Sequence, residues 1–468
     1  MKPKNAIQLS DISILKTIFF PKLDQIIVFD PQKKVQKTGK SKISFATEEH
    51  ELISIFNSTS SKFIFFNLSK FDFSNFINHP FLTGMIDFSK SDNSRFTTFF
   101  FINNPDQTMR WVFPKKSKSP SFLHLYNSSG WKGSLFKNTT KVLHSLGWMQ
   151  PITSGEFSIF FKNKELFFEH FGDLKFDDYA IFTGTVGADR KGIIALSSMK
   201  KCNYFVKIPI NQSANQLVNN EYDQLNKLAS PNFEYLKIPQ TIKTPSSLIV
   251  SNVKPEKYLK NISFGEIHLK ALDELYDNSL NEKKISSTTC WATIQQGLDI
   301  LDQANETTNG LEIKTIKELR NLCYQLFFDL DHTMNIKTAT GHGDFTPWNM
   351  YIDDSKLYVY DWEMSQSDMP LLFDVFHYFF QKGILVDRKS AQHIFNEIEE
   401  MMNSDEGKKM LKSYNLDWQY YYWVYILYIV CKYLPKYLRQ QQLHVQVHWL
   451  VATWKKSLSS YSPKAISV

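Results

Sequence analysis

Between Gly341 and Glu363 the chain reads GHGDFTPWNMYIDDSKLYVYDWE, which gathers His342, Asp344, Asn349 and Asp361 around short turns. Carboxylates and a carboxamide at such close spacing are hard oxygen donors with a proton acceptor among them. Moving a phosphoryl group from a nucleoside triphosphate to an alcohol needs those parts. Magnesium takes one or two protein carboxylates or amides beside the phosphate oxygens. A further carboxylate orients the accepting hydroxyl and takes its proton. A cation must offset the charge spread over the phosphates. In that scheme Asp344 is the base, and Asn349 and Asp361 are the metal ligands.

The spacing and the following strand support this assignment. Asp344 and Asn349 are five residues apart, as in the protein-kinase loop H-R-D-x-x-x-x-N; here the loop is H-G-D-F-T-P-W-N. The alternating run LYVYD brings Asp361 to a strand end, in the position of the metal-binding aspartate of D-F-G, although the triplet here is D-W-E. HGDFTPWN followed by YDWE resembles the aminoglycoside phosphotransferase/choline kinase-like enzymes. The resemblance runs from about Phe176 to the C-terminus and is clearest over 341–374. It implies an α+β, bilobal protein-kinase-like fold with a β-rich N-lobe and a helical C-lobe. It also implies ATP and Mg2+ as cofactors and the hydroxyl of a small molecule as acceptor: a sugar, an amino alcohol or an aminoglycoside-like compound. By the same resemblance, His342 buttresses the catalytic loop and Asp374, in PLLFDVFHYF, holds its backbone. Glu363 follows Asp361 as in the family. The interval from Asp361 to Asp374 is one residue longer than the family form and leaves Asp368 without a role. HGDFTPWN is also similar to relatives linked to bacterial surface-polysaccharide synthesis, which points towards a sugar or polyol.

The elements that must position these groups lie upstream. A strand lysine should pair with a glutamate on the next helix, so that its ammonium is aimed at the phosphates. NYFVKIPI supplies Lys207, turned by alternation to the face opposite Val206 and Ile208. Fourteen residues on, NNEYDQLNKL supplies Glu221 among Leu217, Leu225 and Leu228 at helical spacing. Before them, TGTVGADRKGIIAL reads as a hairpin turn in which Gly184 and Gly187 either cover phosphates or simply make the turn. After them, the backbone near Ser251 to Val253 is the expected adenine-binding edge. Only eight residues separate Asp361 from Pro370, and no A-P-E follows. That leaves no room for the activation segment of a protein kinase and favours a small-molecule acceptor. A catalytically inactive kinase-like module that binds nucleotide or a partner is the alternative reading.

The remaining chain divides into 1–90, an additional α/β region of unknown role; 91–170; 171–255, the kinase-like N-lobe; and 256–468, the helical C-lobe. In the first part DQIIVFDP and KFIFFNLS read as strands, and TEEHELISIF as a helix capped by Thr47. In the second, RWVFP and SFLHLYN read as strands and SLFKNTTKVLHSLG as a helix. Shifted by 82 positions, Phe122–Leu146 lies without gaps over Tyr204–Leu228, with Leu125 opposite Lys207 and Thr139 opposite Glu221. This predicts a degenerate N-lobe-like unit over 91–170 that lacks the phosphate lysine and its partner acid.

Composition narrows the partners. Lys+Arg 54 against Asp+Glu 47 gives +7 over 468 residues, too mild an excess to indicate nucleic acid. The run PKKSKSP reads as a solvated turn. Cys202, Cys290, Cys323 and Cys431 show no CxxC spacing, which suits a reducing compartment and argues against a zinc site. WQYYYWVYILYIVCKYL (Trp418–Leu434) is too short and too polar to span a bilayer and reads as a buried helix. No secretory leader is expected, and the cytoplasm is the expected location. Acidic NEIEEMMNSDEG reads as solvated helix surface. Oligomeric state is not legible.

Overall fold

The computed structural model describes residues 7–19, 25–30, 35–36, 43–58, 63–67, 96–126, 131–160, 170–185, 187, 189–259, 263–304, 310–353, 355–440 and 443–462. The chain forms two compact units, Met1–Tyr222 with Gln240–Asn252, and Asp223–Pro239 with Val253–Val468. The first is rich in strands and the second mainly helical, as an α+β chain with a β-rich and a helical lobe requires.

In chain order the first unit holds β1 (Ile7–Gln8), α1 (Leu9–Phe19), β2 (Gln25–Phe29), β3 (Val35–Gln36), β4 (Ile43–Ala46), α2 (Glu49–Ser58) and β5 (Phe63–Asn67). There follow β6 (Phe96–Asn103), β7 (Met109–Pro114), α3 (Trp131–Ser145), β8 (Gly155–Phe160), β9 (Asp178–Phe182), β10 (Lys191–Ser198), β11 (Lys201–Pro209) and α4 (Gln212–Lys227), whose last turn belongs to the second unit. Past β12 (Leu236–Lys237) of the second unit, β13 (Thr241–Lys243) and β14 (Leu248–Ser251) return to the first. Among the described residues eleven strands form one sheet in the order β13-β14-β11-β10-β9-β7-β6-β8-β5-β2-β4. The N-terminal α/β region therefore extends the same sheet that carries Lys207.

Strand alternation decides which side chains reach which face. Val206 and Ile208 of β11 enter a core with Ile181, Ile194 and Ile249, and Ile12, Leu15, Ile18 and Phe19 of α1 close that face. Gly192 permits the contact, since a Cβ there would stand 2.7 Å from Ile18 Cδ1. Asp11 anchors α1 by accepting from the backbone N–H groups of Gln8 (3.2 Å) and Met109 (3.1 Å). Burial raises the pKa of its carboxyl despite those bonds. On the other face Val218 of α4 packs on Leu248 and Val250.

Two local expectations need correction. Ser121–Leu125, expected within a strand, is a 3-10 helix, and Asn127 lies outside the described residues. Phe122 and Leu125, three apart, both turn inward on that tighter spiral, and Phe122 stacks on Phe113 at 4.6 Å. The 82-residue correspondence thus sets a 3-10 turn against β11. At α2 the cap works in reverse. Glu51 reaches back to accept from Thr47 N–H (2.7 Å), Thr47 Oγ1 (3.0 Å) and Glu48 N–H (3.3 Å).

The second unit holds β12, then α5 (Glu266–Asp277), β15 (Asn281–Lys284), α6 (Thr289–Asp302), α7 (Ile313–Asp329), β16 (Asn335–Gly341), β17 (Met350–Ile352), β18 (Leu357–Val359) and β19 (Gln366–Pro370). Five helices complete it: α8 (Phe373–Leu385), α9 (Ala391–Asn403), α10 (Asp405–Tyr414), α11 (Trp418–Leu438) and α12 (Val445–Ser459). Two small sheets, β12-β18-β17 and β15-β16-β19, bracket the loop that carries Asp344.

Helix α11 is the apolar stretch that raised the membrane question. Among the described residues no helix is long and apolar enough to cross a bilayer. Residues Tyr420–Cys431 are buried without a break, and α6 meets them so closely that a Cβ on Gly297 would lie 2.4 Å from the Cys431 carbonyl oxygen. Its tyrosines are explained by their hydroxyls. Tyr420 donates to the Asp331 carbonyl (3.0 Å), Tyr421 accepts from Lys337 N–H (2.7 Å), and Tyr428 accepts from Gln366 Nε2 (3.1 Å). A buried hydroxyl without such a partner would destabilise the core.

Candidate active site

The lysine–glutamate pair lies in the first unit. Lys207 projects from β11 on the α4 side, and its Nζ donates to both Glu221 carboxylate oxygens at 2.7 Å. Both side chains are buried, at 7% and 1% exposure. An ammonium removed from water is tolerated only with such a partner, so the carboxylate fixes where the charge sits. The hairpin between β9 and β10 adjoins this pair in sequence. Gly184 has φ +84°, and a Cβ there would stand 2.2 Å from the Lys191 carbonyl oxygen, so the turn demands glycine. Gly187 is exposed and has open space around it, so the backbone makes no such demand there. The neighbouring Val186 and Ala188 lie outside the described residues. Arg190 Nε donates to the Thr183 carbonyl (3.0 Å), and Ser213 bonds Asp189, tying the hairpin to the start of α4. At the expected adenine edge, Ser251 N–H is engaged by the Gln240 carbonyl (2.8 Å) and Asn252 N–H by the Asn203 carbonyl (2.8 Å). Ser251 ends β14 in the first unit, and Val253 begins the second.

The acidic groups lie in the second unit. β16 delivers the chain into the loop at Gly341. Gly343 adopts φ +77°, where a Cβ would meet the Met364 carbonyl oxygen at 2.2 Å. Asp374, in the first turn of α8, then accepts from His342 N–H (2.7 Å) and Gly343 N–H (2.9 Å). That is the backbone-holding role its resemblance implied. His342 is wholly buried; its Nδ1 accepts from Asp344 N–H (3.2 Å), and its Nε2 lies 3.1 Å from the Tyr360 carbonyl. Since Nδ1 is the acceptor, Nε2 carries the proton. His342 thereby ties the Asp344 turn to the segment before Asp361.

Asn349 Nδ2 donates to Asp344 Oδ2 (2.8 Å) and to the Asp344 carbonyl (3.0 Å). Both donations come from the amide nitrogen, which turns the amide oxygen the other way as an acceptor. The β17–β18 hairpin, closed by Asp353 accepting from Ser355 N–H (2.9 Å) and Lys356 N–H (2.8 Å), brings the chain back. Tyr360 N–H donates to the Asn349 carbonyl at 3.0 Å, so Asp361 follows directly beside Asn349. Asp361 adopts φ 69° and ψ 59°, the left-handed region that aspartate tolerates better than most side chains. Glu363 brings a carboxylate oxygen within 4.8 Å of that of Asp361, so the donors offered here are two carboxylates and one amide, a set that suits magnesium, which keeps phosphate and water oxygens for its other positions.

One residue escaped the sequence reading. His377 of α8 places Nε2 3.2 Å from Asp344 Oδ1 and Nδ1 3.2 Å from the Tyr425 hydroxyl. Burial pushes the Tyr425 phenol well above its ordinary pKa, so it keeps its proton and donates it to Nδ1. A neutral imidazole then has its own proton on Nε2 and donates to Asp344. The available signal was spacing: His377 follows Asp374 by three residues and shares its helix face. Both oxygens of Asp344 are thus held, one by Asn349 and one by His377. Replacing His377 with Phe is expected to lower kcat about 10-fold or more, with nucleotide affinity unchanged, because the carboxylate loses its orientation; steady-state kinetics beside His377→Gln will check it. Asp368 also gains a role. It accepts from Thr289 N–H (2.9 Å), Thr289 Oγ1 (3.0 Å) and Lys283 Nζ (3.3 Å), fixing the start of α6. Burial opposes its charge, yet these donors hold its pKa below the usual carboxylate value.

Solved structures similar to this chain include an ADP-bound aminoglycoside phosphotransferase at 13% identity, with 63% of this chain and 96% of that chain covered and a TM-score of 0.34. They also include an ethanolamine kinase from Plasmodium vivax (14% identity, 59% and 80% covered, TM-score 0.37) and a glucosamine kinase (14%, 60% and 80%, TM-score 0.37). No protein-family model matches the chain. No curated protein matches it. The functional reading therefore rests on this chain's own side chains.

Behind the loop, His268 of α5 stacks on Phe264 at 4.7 Å and accepts from Gly265 N–H (3.1 Å). Burial pushes its pKa down to about 3 from 6.5. The unfolded chain takes up a proton below pH 6.5 that the folded chain refuses until near pH 3, so stability falls as pH drops through that window. From pH 6.5 to 4.5 this group should remove roughly 2–3 kcal/mol of unfolding free energy. Urea titrations should show that loss diminished in His268→Phe.

Proposed function

We propose that this protein is an ATP- and magnesium-dependent phosphotransferase that phosphorylates a hydroxyl of a small molecule. The single observation that supports this most is the geometry around Asp344. Its carboxylate is oriented by Asn349 Nδ2 at 2.8 Å and His377 Nε2 at 3.2 Å, on a loop whose backbone Asp374 fixes. A carboxylate so immobilised suits the hydrogen bond to an acceptor hydroxyl and receipt of its proton as transfer proceeds. Asn349 and Asp361 would hold the metal, and Lys207, aimed by Glu221, would offset charge on the α- and β-phosphates. Mg2+ when bound neutralises charge developing on the transferred group. The backbone around Gly184 would approach the phosphates, and Ser251–Val253 the base.

The short interval after Asp361 supports the acceptor class. β19 begins at Gln366, five residues after Asp361, and α8 begins at Phe373. No segment there is long enough to seat a peptide, which supports a compact acceptor such as a sugar, an amino alcohol or an aminoglycoside-like compound. The test is an ATP-consumption screen across those three classes, with the product followed by phosphorus NMR. A phosphomonoester formed with stoichiometric ADP, and absent with Asp344→Asn, is the expected result. ATP consumption that Asp344→Asn leaves untouched would overturn the assignment.

A further inference from the structure

The seven-residue charge excess is not spread over the chain. Between Asp106 and Glu156 there is no acidic residue, while Arg110, Lys115, Lys116, Lys118, Lys132, Lys137 and Lys141 all fall there. These seven account for the whole net charge of +7, so the remainder has 47 basic residues against 47 acidic ones. Lys115 is paired with Glu156 at 2.8 Å and Lys118 with Asp177 at 3.4 Å, whereas Lys116, Lys132 and Lys141 are exposed.

This basic segment contains α3, which is apolar on two faces. On one, Phe136 and Leu143 pack against the buried cluster of Phe100, Trp111, Phe113 and Phe122, with Gly133 and Thr140 buried beneath. The other carries Trp131 (73% exposed), Leu135 (59%), Val142 (57%) and Leu146 (64%). At 100° per residue these four fall within an arc of about 60°. Lys132 and Lys141 lie on opposite flanks of that arc. Trp148, 69% exposed, follows just past the end of the helix and Gly147. Such a stripe is costly to leave in water and marks a contact surface.

We propose that α3 and its basic surroundings form a docking surface for an anionic lipid bilayer. The observations fit that occupant in three ways. Large apolar side chains lie along one line of a surface helix, as burial at the acyl boundary requires. An exposed tryptophan, Trp131, begins the stripe and a second, Trp148, follows the helix, and this side chain favours the water–bilayer interface. Lysines flank the stripe within an acid-free stretch, which complements a negatively charged leaflet. A nucleic acid would use the lysines but leave the aliphatic stripe unsatisfied.

The test uses the full chain in flotation with vesicles of equimolar phosphatidylglycerol and phosphatidylcholine, beside vesicles of phosphatidylcholine alone. Binding to the anionic vesicles should be at least about 10-fold stronger, and should weaken as salt rises. Leu135→Ser with Val142→Ser should reduce it about 10-fold while circular dichroism stays unchanged, since both side chains are exposed. Brominated lipid should quench wild-type fluorescence more than that of Trp131→Phe with Trp148→Phe. Absence of flotation overturns the proposal, as does binding that the serine variant leaves intact. So does concentration-dependent dimerisation abolished by the same serines, which would assign the stripe to a second copy.

Discussion

Asp344→Asn is expected to lower turnover by roughly 100- to 10,000-fold, the range for removing a positioned general base, while nucleotide affinity changes little. The substitution is close to isosteric, but its new NH2 must face one of two donors, His377 Nε2 or Asn349 Nδ2, now 3.2 and 2.8 Å from the carboxylate oxygens. What is lost is an oxygen able to take the hydroxyl proton. The loop itself should persist, because it is held by Asp374 on the His342 and Gly343 amides and not by Asp344. A melting curve lowered only slightly, for the one hydrogen bond lost, with lost turnover is the expected pairing. A large fall in stability would mean that Asp344 holds structure instead.

The second large effect concerns Lys207. Replacing it with Met leaves Glu221, of which 1% is exposed, as a buried acid without its cation. Breaking a buried ion pair from one side costs about 3–5 kcal/mol, so the melting temperature should fall by roughly 6–12 °C. Adding Glu221→Met should restore most of that stability, since two apolar side chains then meet where two charges met. Turnover should not return, because the cation that faces the phosphates is still missing. Recovery of activity together with stability would show that Lys207 serves only the fold.

The sequence was most informative where chemistry and periodicity coincide. Lys207 could be placed because Val206 and Ile208 bracket it in an alternating strand, and Glu221 because it lies on the next helix at the proper turn. The strand before Asp361 was legible from the alternating run LYVYD, and the buried nature of α11 from its tyrosines and Lys432. Other features depend on contacts remote in sequence. His377 acts on Asp344 across 33 residues, and its tautomer is set by Tyr425 on a third element. Asp368 looked idle because its partners, Thr289 and Lys283, sit about eighty residues upstream. The Ser121–Leu125 turn was misread as a strand because a short apolar run fits both shapes. That the N-terminal region joins one eleven-stranded sheet with Lys207's strand is a matter of long-range pairing, which local pattern does not carry.

The most direct measurement is a calorimetric titration of a non-hydrolysable ATP analogue into the full chain, with and without Mg2+, repeated on Asp361→Ala. The account predicts that Mg2+ strengthens binding to the wild-type protein and that Asp361→Ala removes the strengthening while keeping the fold. Binding that ignores Mg2+, or that Asp361→Ala leaves as strong and as Mg2+-dependent as before, would contradict it.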